Sequence, residues 1–296
     1  MNTSLPLHTR PWSRRLRRAV DAPAHWDLLD APASHLAAAV ESLPLGPYRD
    51  ALRGVWLGHP LHPLLVQMPL GFWTSAELLD ATPGGRRSAD TLVTAGLLTA
   101  APAALAGWVD WARLDPPRRR TGLVHALSNT TGVLLYGGSL LARCRGRRVR
   151  GRLLGLAGLT AVSVGATLGA HLVYRQAAGP DRAAAVPLLA PADWVGLGPV
   201  EDFPPDEPVR RTAGELPVVV VNRGGQLHVL AERCSHLSGP LAEGTIADGC
   251  LRCPWHGSEF RLRDGEVARG PATAPQPVLE TRVLSGHLEA RLPAVS

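Results

Sequence analysis

Four side chains in the last third of this 296-residue chain have the types and spacing that metal chemistry needs: Cys234 and His236, then, after sixteen intervening residues, Cys253 and His256. Each short stretch offers one thiolate and one imidazole. Zinc accepts a Cys2His2 set, and the same four groups suit a two-iron, two-sulfide cluster with both Cys on one iron and both His on the other. A zinc finger keeps its two Cys in one element and its two His in another. Here the types alternate, as C-x-H in CSHLSGPLAEG and C-x-x-H in CPWHGSEF. That alternation favours the iron–sulfur assignment. Cys250, three residues before Cys253, reads as a small, partly buried strand residue, and Cys144 has no evident partner.

The elements that must hold these loops are β-prone. LPVVVVN (216–222) and QLHVLA (226–231) flank Arg223-Gly224-Gly225 and read as a hairpin, and VLETRV and HLEARL flank Ser285-Gly286 in the same way. Residues 195–296, about one third of the chain, resemble a Rieske-type domain. The resemblance rests on C-x-H-x16-C-x-x-H, on Leu237 and Gly239, on HGS starting at the last ligand, and on the proline segment GPATAPQP at 270–277. It implies an all-β fold with a [2Fe-2S] cluster on Cys234, His236, Cys253 and His256, tuned by Ser258 and covered by the segment containing Pro271 and Pro275. Departures from the quinol-oxidising members of that family are informative. Their extra Cys in each cluster loop is replaced by Gly239 and Trp255, and a tyrosine hydroxyl that donates to the cluster region is replaced by Phe260. Fewer donors stabilise a reduced cluster less, so the expected potential lies below that of the quinol-oxidising class. A Rieske oxygenase needs a second iron bound by two His and a carboxylate; His287 is the sole histidine after His256. The expectation is an electron carrier or oxidoreductase subunit, not a Rieske oxygenase.

Before residue 180 the chain changes character. Apolar runs at Leu64–Leu79, Ala89–Trp111, Thr121–Ala142 and Leu153–Tyr174, separated by short Arg-, Pro- and Gly-rich gaps, predict four transmembrane helices. The runs are rich in small residues that permit close helix approach. Residues 45–180, with GHPLHPLLVQMPLGFW at their start, resemble a bacterial four-helix membrane domain family of uncharacterised function marked by HPxHP. The predicted architecture is therefore a membrane α-helical bundle followed by an all-β Rieske-like domain. Its parts are a polar N-terminal segment with an amphipathic helix near Ala33–Leu43 (1–44), the four-helix domain (45–178), a linker (179–194) and the cluster domain (195–296). Alternating span direction brings His62, Asp110, His125 and His171 to one face of the membrane. Intramembrane ionisable groups are functional candidates because their burial is costly. Two of His62, His125 and His171 are candidates for a b-type haem or a metal; the alternative is a hydrogen-bonded polar cluster tying helix ends together.

Charge separates the two halves. Every basic residue is Arg, with 21 against 12 acids through Trp194 and 10 against 13 acids afterwards, so a +9 segment is joined to a −3 segment. The positive excess flanks the apolar runs and gives no support for nucleic-acid binding. Four Cys and 5% aromatic residues exclude a disulfide-dense secreted scaffold. Arginines near the expected spans number eight on each face, so the positive-inside rule leaves orientation open. With no export signal evident, the expectation is a multi-pass protein of the bacterial inner membrane, its cluster domain cytoplasmic. Such a protein passes single electrons to or from a redox partner protein; the alternative is a quinone- or haem-linked membrane oxidoreductase in which the cluster feeds the bundle.

Overall fold

The computed structural model describes residues 11–293, which form two compact units, one of residues 11–44 with 61–178, the other of residues 45–60 with 179–293. The helices are α1 (Pro11–Asp21), α2 (Asp30–Ser42), α3 (Tyr48–Arg53), α4 (His62–Leu65), α5 (Gln67–Asp80), α6 (Arg86–Trp111), α7 (Pro116–Cys144), α8 (Arg148–Tyr174) and α9 (Val186–Leu189).

In the first unit α6, α7 and α8 hold 26, 29 and 27 residues, each long enough at about 1.5 Å per residue to exceed about 30 Å of hydrocarbon. Of the four expected spans, α6 and α8 are both long and apolar enough to cross a membrane. The first expected span is instead divided between α4 and the 14-residue α5, joined through helical backbone at Val66. The third has the length but not the uniform apolarity, because α7 has two faces. Leu127, Leu134 and Leu141 recur every seven residues and are exposed, whereas Tyr136, Ser139 and Arg143 are buried. An exposed leucine stripe with a buried polar face inverts the soluble pattern. Inside, Tyr136 stacks on Trp73 at 4.4 Å and 8°, and Arg143 pairs with Asp80 and, at 3.2 Å, with Asp90. Gly158 is required by this packing: a Cβ there would stand 2.9 Å from the Tyr136 ring.

The expected polar N-terminal segment is packed where it is described. The predicted amphipathic helix is α2, which buries Ala33, Ala37 and Val40 against Trp111, Ala112 and Leu123. Arg120 at the start of α7 forks onto Asp30 with two 2.7 Å hydrogen bonds. The arginine-rich stretch after residue 10 forms α1; residues 1–10 lie outside the described residues.

The second unit is antiparallel β. Its strands are β1 (Val195–Pro199), β2 (Pro208–Ala213), β3 (Leu216–Arg223), β4 (Gln226–Ala231), β5 (Thr245–Ala247), β6 (Cys250–Arg252), β7 (Glu259–Arg261), β8 (Val267–Arg269), β9 (Val278–Leu284) and β10 (His287–Arg291). One sheet runs β1-β10-β9-β4-β3-β2 and a smaller one β5-β6-β7-β8. Both predicted hairpins form. Arg223 pairs with Gln226 across Gly224-Gly225, and Leu284 with His287 across Ser285-Gly286. All four turn residues have positive φ, the geometry that two-residue hairpin loops require. β3 is buried on both faces. Val218 and Val220 enter one core with Phe203, Leu227 and Leu288; Val219 and Val221 enter another with Leu230, Leu241, Leu251 and Phe260.

At two places the structure groups residues differently from the expected domains. Residues 45–60, assigned from sequence to the four-helix domain, group with the β unit, because Asp50 on α3 accepts the Gly270 N–H at 3.3 Å and buried Arg53 donates to Asp50 at 3.1 Å. The expected linker 179–194 is also part of that unit: Ala183 and Val186 are buried in the Phe203 core, and the Arg182 N–H donates to the Ser235 carbonyl at 2.8 Å.

Candidate functional site

Cys234 and His236 lie on the loop between β4 and β5; Cys253 and His256 lie on the loop between β6 and β7. The two loops repeat one backbone design. The Cys234 N–H donates to the Gly239 carbonyl at 2.9 Å, and the Ser238 N–H returns to the Cys234 carbonyl at 2.9 Å. In the second loop the Cys253 N–H donates to the Ser258 carbonyl at 2.8 Å, and the Gly257 N–H returns to the Cys253 carbonyl at 3.1 Å. The fourth residue after each Cys has positive φ, 62° at Ser238 and 75° at Gly257. Each knuckle curls around its own sulfur. The amide groups of His236 and Leu237 bond the Cys234 sulfur, and those of Trp255 and His256 bond the Cys253 sulfur. Backbone N–H groups aimed at sulfur favour a thiolate.

Both Cys are buried, over the core of Val219, Leu241, Leu251 and Phe260. Their sulfurs hydrogen-bond one another. That bond, with the Trp255 and His256 amides, holds Cys253 well below the usual thiol range, to about 6, while the same bond and burial push Cys234 up. The imidazoles form the second pair, with ring centroids 5.1 Å apart and planes at 83°. The result is two thiols side by side and two imidazoles side by side. A two-iron cluster asks for that two-plus-two division, whereas one zinc ion draws all four ligands to a single point. Gly239 leaves room for the sulfurs, since a Cβ there would stand 2.8 Å from Cys253 Sγ and 3.3 Å from Trp255.

The proline segment fastens both knuckles. Ser258 is fully buried, and its Oγ accepts the Ala272 N–H at 2.9 Å. Ser235 Oγ donates to the Ala274 carbonyl at 2.8 Å. Gln276, fully buried, makes the most extensive tie. Its Oε1 accepts the Ser235 N–H at 2.9 Å, and its Nε2 donates to the carbonyls of Ala231 and Arg233 at 2.7 and 2.9 Å. A glutamine among prolines carries no signal of this role; only the unpaired backbone groups of the first knuckle call for it.

The remaining cysteines are elsewhere. Cys250 opens β6 opposite Ala247 and Arg261, with its thiol pushed up by partial burial, and Cys144 is exposed at the end of α7.

The structure separates the three candidate histidines of the helical unit. His62 and His125 meet, with ring centroids 6.1 Å apart and planes at 82°. His171 turns to Asp21, Nε2 to Oδ1 at 3.3 Å, beside Arg118 and Arg175. Of the three candidates, His62 and His125 therefore meet and His171 does not join them; span direction alone does not fix the direction a side chain takes from its helix.

Residues 193–283 match the family described as Rieske [2Fe-2S] domain, and residues 58–182 match DUF2231, described as a predicted membrane protein. The anthranilate 1,2-dioxygenase ferredoxin subunit of Burkholderia cepacia is 36% identical over 101 residues, which cover 34% of this chain and 94% of the relative. Ferredoxin CarAc of Metapseudomonas resinovorans is 31% identical over 97 residues, 32% of this chain and 90% of the relative. The 3-phenylpropionate/cinnamic acid dioxygenase ferredoxin subunit of Escherichia coli K12 is 31% identical over 96 residues, again 32% and 90%.

Proposed function

Because the chain belongs to the Rieske [2Fe-2S] family through residues 193–283 and carries a membrane domain of the DUF2231 description at 58–182, we propose that it is a membrane-anchored, ferredoxin-like electron carrier. In this reading Cys234 and Cys253 hold one iron of the cluster and His236 and His256 the other. The observation that carries it is the pair of matching knuckles, which set thiol beside thiol and imidazole beside imidazole with amide donors on both sulfurs. Bound there, a [2Fe-2S] cluster supplies one-electron exchange at a potential raised by its two His ligands. The chain's own groups do the rest. The amides of His236, Leu237, Trp255 and His256 offset negative charge on sulfur, the apolar core beneath excludes water, and exposed Trp255 stands beside His256, with centroids 6.4 Å apart. The partner is a redox protein of the oxygenase or reductase kind that ferredoxin subunits serve.

Ser258 is assigned the tuning role. Its Oγ accepts from Ala272, which leaves its hydroxyl proton to donate toward the cluster ligands. Ser258→Ala is expected to lower the midpoint potential, since a donor stabilises the more negative reduced state. A differential hydrogen-bond energy of about 1–2 kcal/mol corresponds to about 40–90 mV for one electron. Protein-film voltammetry of the two forms checks this; an unchanged or higher potential removes Ser258 from the role.

The membrane anchor is read as four spans, α4 with α5, then α6, α7 and α8, in the bacterial inner membrane. The exposed leucines of α5, α6, α7 and α8, including Leu78, Leu98, Leu134 and Leu153, support it, since such a belt is expected against lipid. An even number of spans puts residues 11–44 and the cluster domain on one side, read here as cytoplasmic. Reporters fused before Met1 and after Ser296 should both be active only as the cytoplasmic type; opposite responses at the two ends would contradict four spans.

The meeting of His62 and His125 favours a second reading, in which the helical unit itself holds haem or meets quinone and the cluster feeds it. Extraction of the purified protein for haem and quinone separates the two.

A further inference from the structure

The His62–His125 pair has the construction of a ligand site. His62 Nδ1 lies 2.8 Å from the Ala103 carbonyl of α6, and His125 Nδ1 lies 2.7 Å from the Gly165 carbonyl of α8. A carbonyl oxygen only accepts, so each Nδ1 carries the hydrogen and each Nε2 keeps its lone pair. The Asn129 amide donates to the His125 carbonyl at 2.9 Å and stands 3.3 Å from His125 Nε2 and 3.4 Å from its Nδ1. Near-equal distances to both nitrogens put it off the axis of either lone pair. Both rings also sit where glycine makes space. A Cβ at Gly107 would stand 2.8 Å from the His62 ring, and one at Gly169 would stand 3.0 Å from the His125 ring.

We propose that His62 and His125 form a two-imidazole binding site for a transition-metal centre within the helical unit, independent of the cluster reading. Imidazole suits zinc, copper, iron and nickel. A histidine ligand usually donates its other ring N–H to a carbonyl or carboxylate, which fixes the tautomer and raises its basicity; both residues do so here. With a metal–nitrogen distance of about 2.0 Å, the ring centres of two imidazoles on one metal stand no more than about 6.2 Å apart. The observed separation is 6.1 Å. Two protein ligands are few, so the metal is either an ion content with low coordination, such as Cu(I), or iron whose remaining in-plane ligands come from haem. The shared chemistry is a metal that accepts two neutral imidazoles.

The test uses the full chain, purified in detergent with its cluster loaded. One arm adds Cu(I) or Zn(II) and counts metal by mass spectrometry after desalting; the other adds haemin and follows the Soret band. One arm should give about one equivalent per chain. His62→Ala and His125→Ala should each weaken binding by at least about tenfold, His171→Ala should leave it unchanged, and the far-ultraviolet circular dichroism helix signal of every variant reports that the helical unit, which holds these residues, has folded. A second measurement needs no variant: electron paramagnetic resonance of the wild type, either loaded with copper and then oxidised to copper(II) by ferricyanide or loaded with haem, should show coupling or g-values of two imidazole nitrogens. Failure of both arms to load the wild type overturns the proposal. So does binding that survives the double His62/His125 substitution, or a loaded spectrum without imidazole nitrogen.

Discussion

Cys234→Ser with Cys253→Ser is expected to abolish the visible absorption of the purified protein and bring its cluster iron to background. Both sulfurs are buried, each faces amide groups of its own knuckle, and they bond one another. Serine keeps the shape but is no thiolate, so the iron assigned to these two residues would lose both its protein ligands at once. Binding energy of a structural metal is also folding energy; the two loops should therefore exchange amide hydrogens faster in the variant while β3 and β4, packed in the Phe203 core, stay protected. Cys250→Ser and Cys144→Ser are the controls. Cys250 belongs to the β5–β6–β7 pairing and Cys144 to the end of α7, so both should keep the spectrum. Survival of the spectrum in the double variant would overturn the ligand assignment.

Gln276→Leu should be the most damaging single change among the residues that touch no cluster atom. It strands the Ser235 N–H and the carbonyls of Ala231 and Arg233, all bonded to the Gln276 amide at 2.7 to 2.9 Å. A buried polar group left without its partner costs about 1–3 kcal/mol. Three of them together, partly relieved by water, give on the order of 3 kcal/mol, or roughly 10–20 °C in the melting temperature of a domain this size. Gln276→Glu separates shape from chemistry: it keeps the acceptor for Ser235 and loses the donors, so it should fall between wild type and leucine. Melting followed by cluster absorption measures this, and a leucine variant within about 2 °C of wild type would show that the proline segment is held by other contacts.

The legible parts of this molecule are those fixed locally. The hairpins at Gly224-Gly225 and Ser285-Gly286 follow from turn chemistry, and the Cys and His spacing follows from ligand chemistry. The repeated knuckle was half visible: Gly257 advertises a positive φ, but Ser238 adopts the same conformation without a residue type that announces it. The tie of Asp50 to Gly270 spans 220 positions and no local pattern reports it, so the packing of α3 with the β unit is not legible in the sequence. Counting spans names His62, His125 and His171 as candidates but not the direction of each side chain, so the pairing of His62 with His125 and the turn of His171 to Asp21 are not legible in the sequence. Likewise α7 was read as an apolar run although its buried face is polar, because an average over the run mixes Leu127, Leu134 and Leu141 with Tyr136, Ser139 and Arg143.

The central claim is that one chain carries a reducible Rieske cluster on a membrane domain, and an electron paramagnetic resonance redox titration of the detergent-solubilised membrane fraction tests it most directly. The expected result is a signal characteristic of two-Cys, two-His ligation that co-purifies with the chain. It should titrate as a single one-electron couple in the lower part of the about −150 to +300 mV Rieske range, since Phe260 provides no hydroxyl and Gly239 and Trp255 cannot form the disulfide. Stoichiometric zinc in place of reducible iron, or a chain that carries the signal but is absent from the membrane fraction, would contradict it.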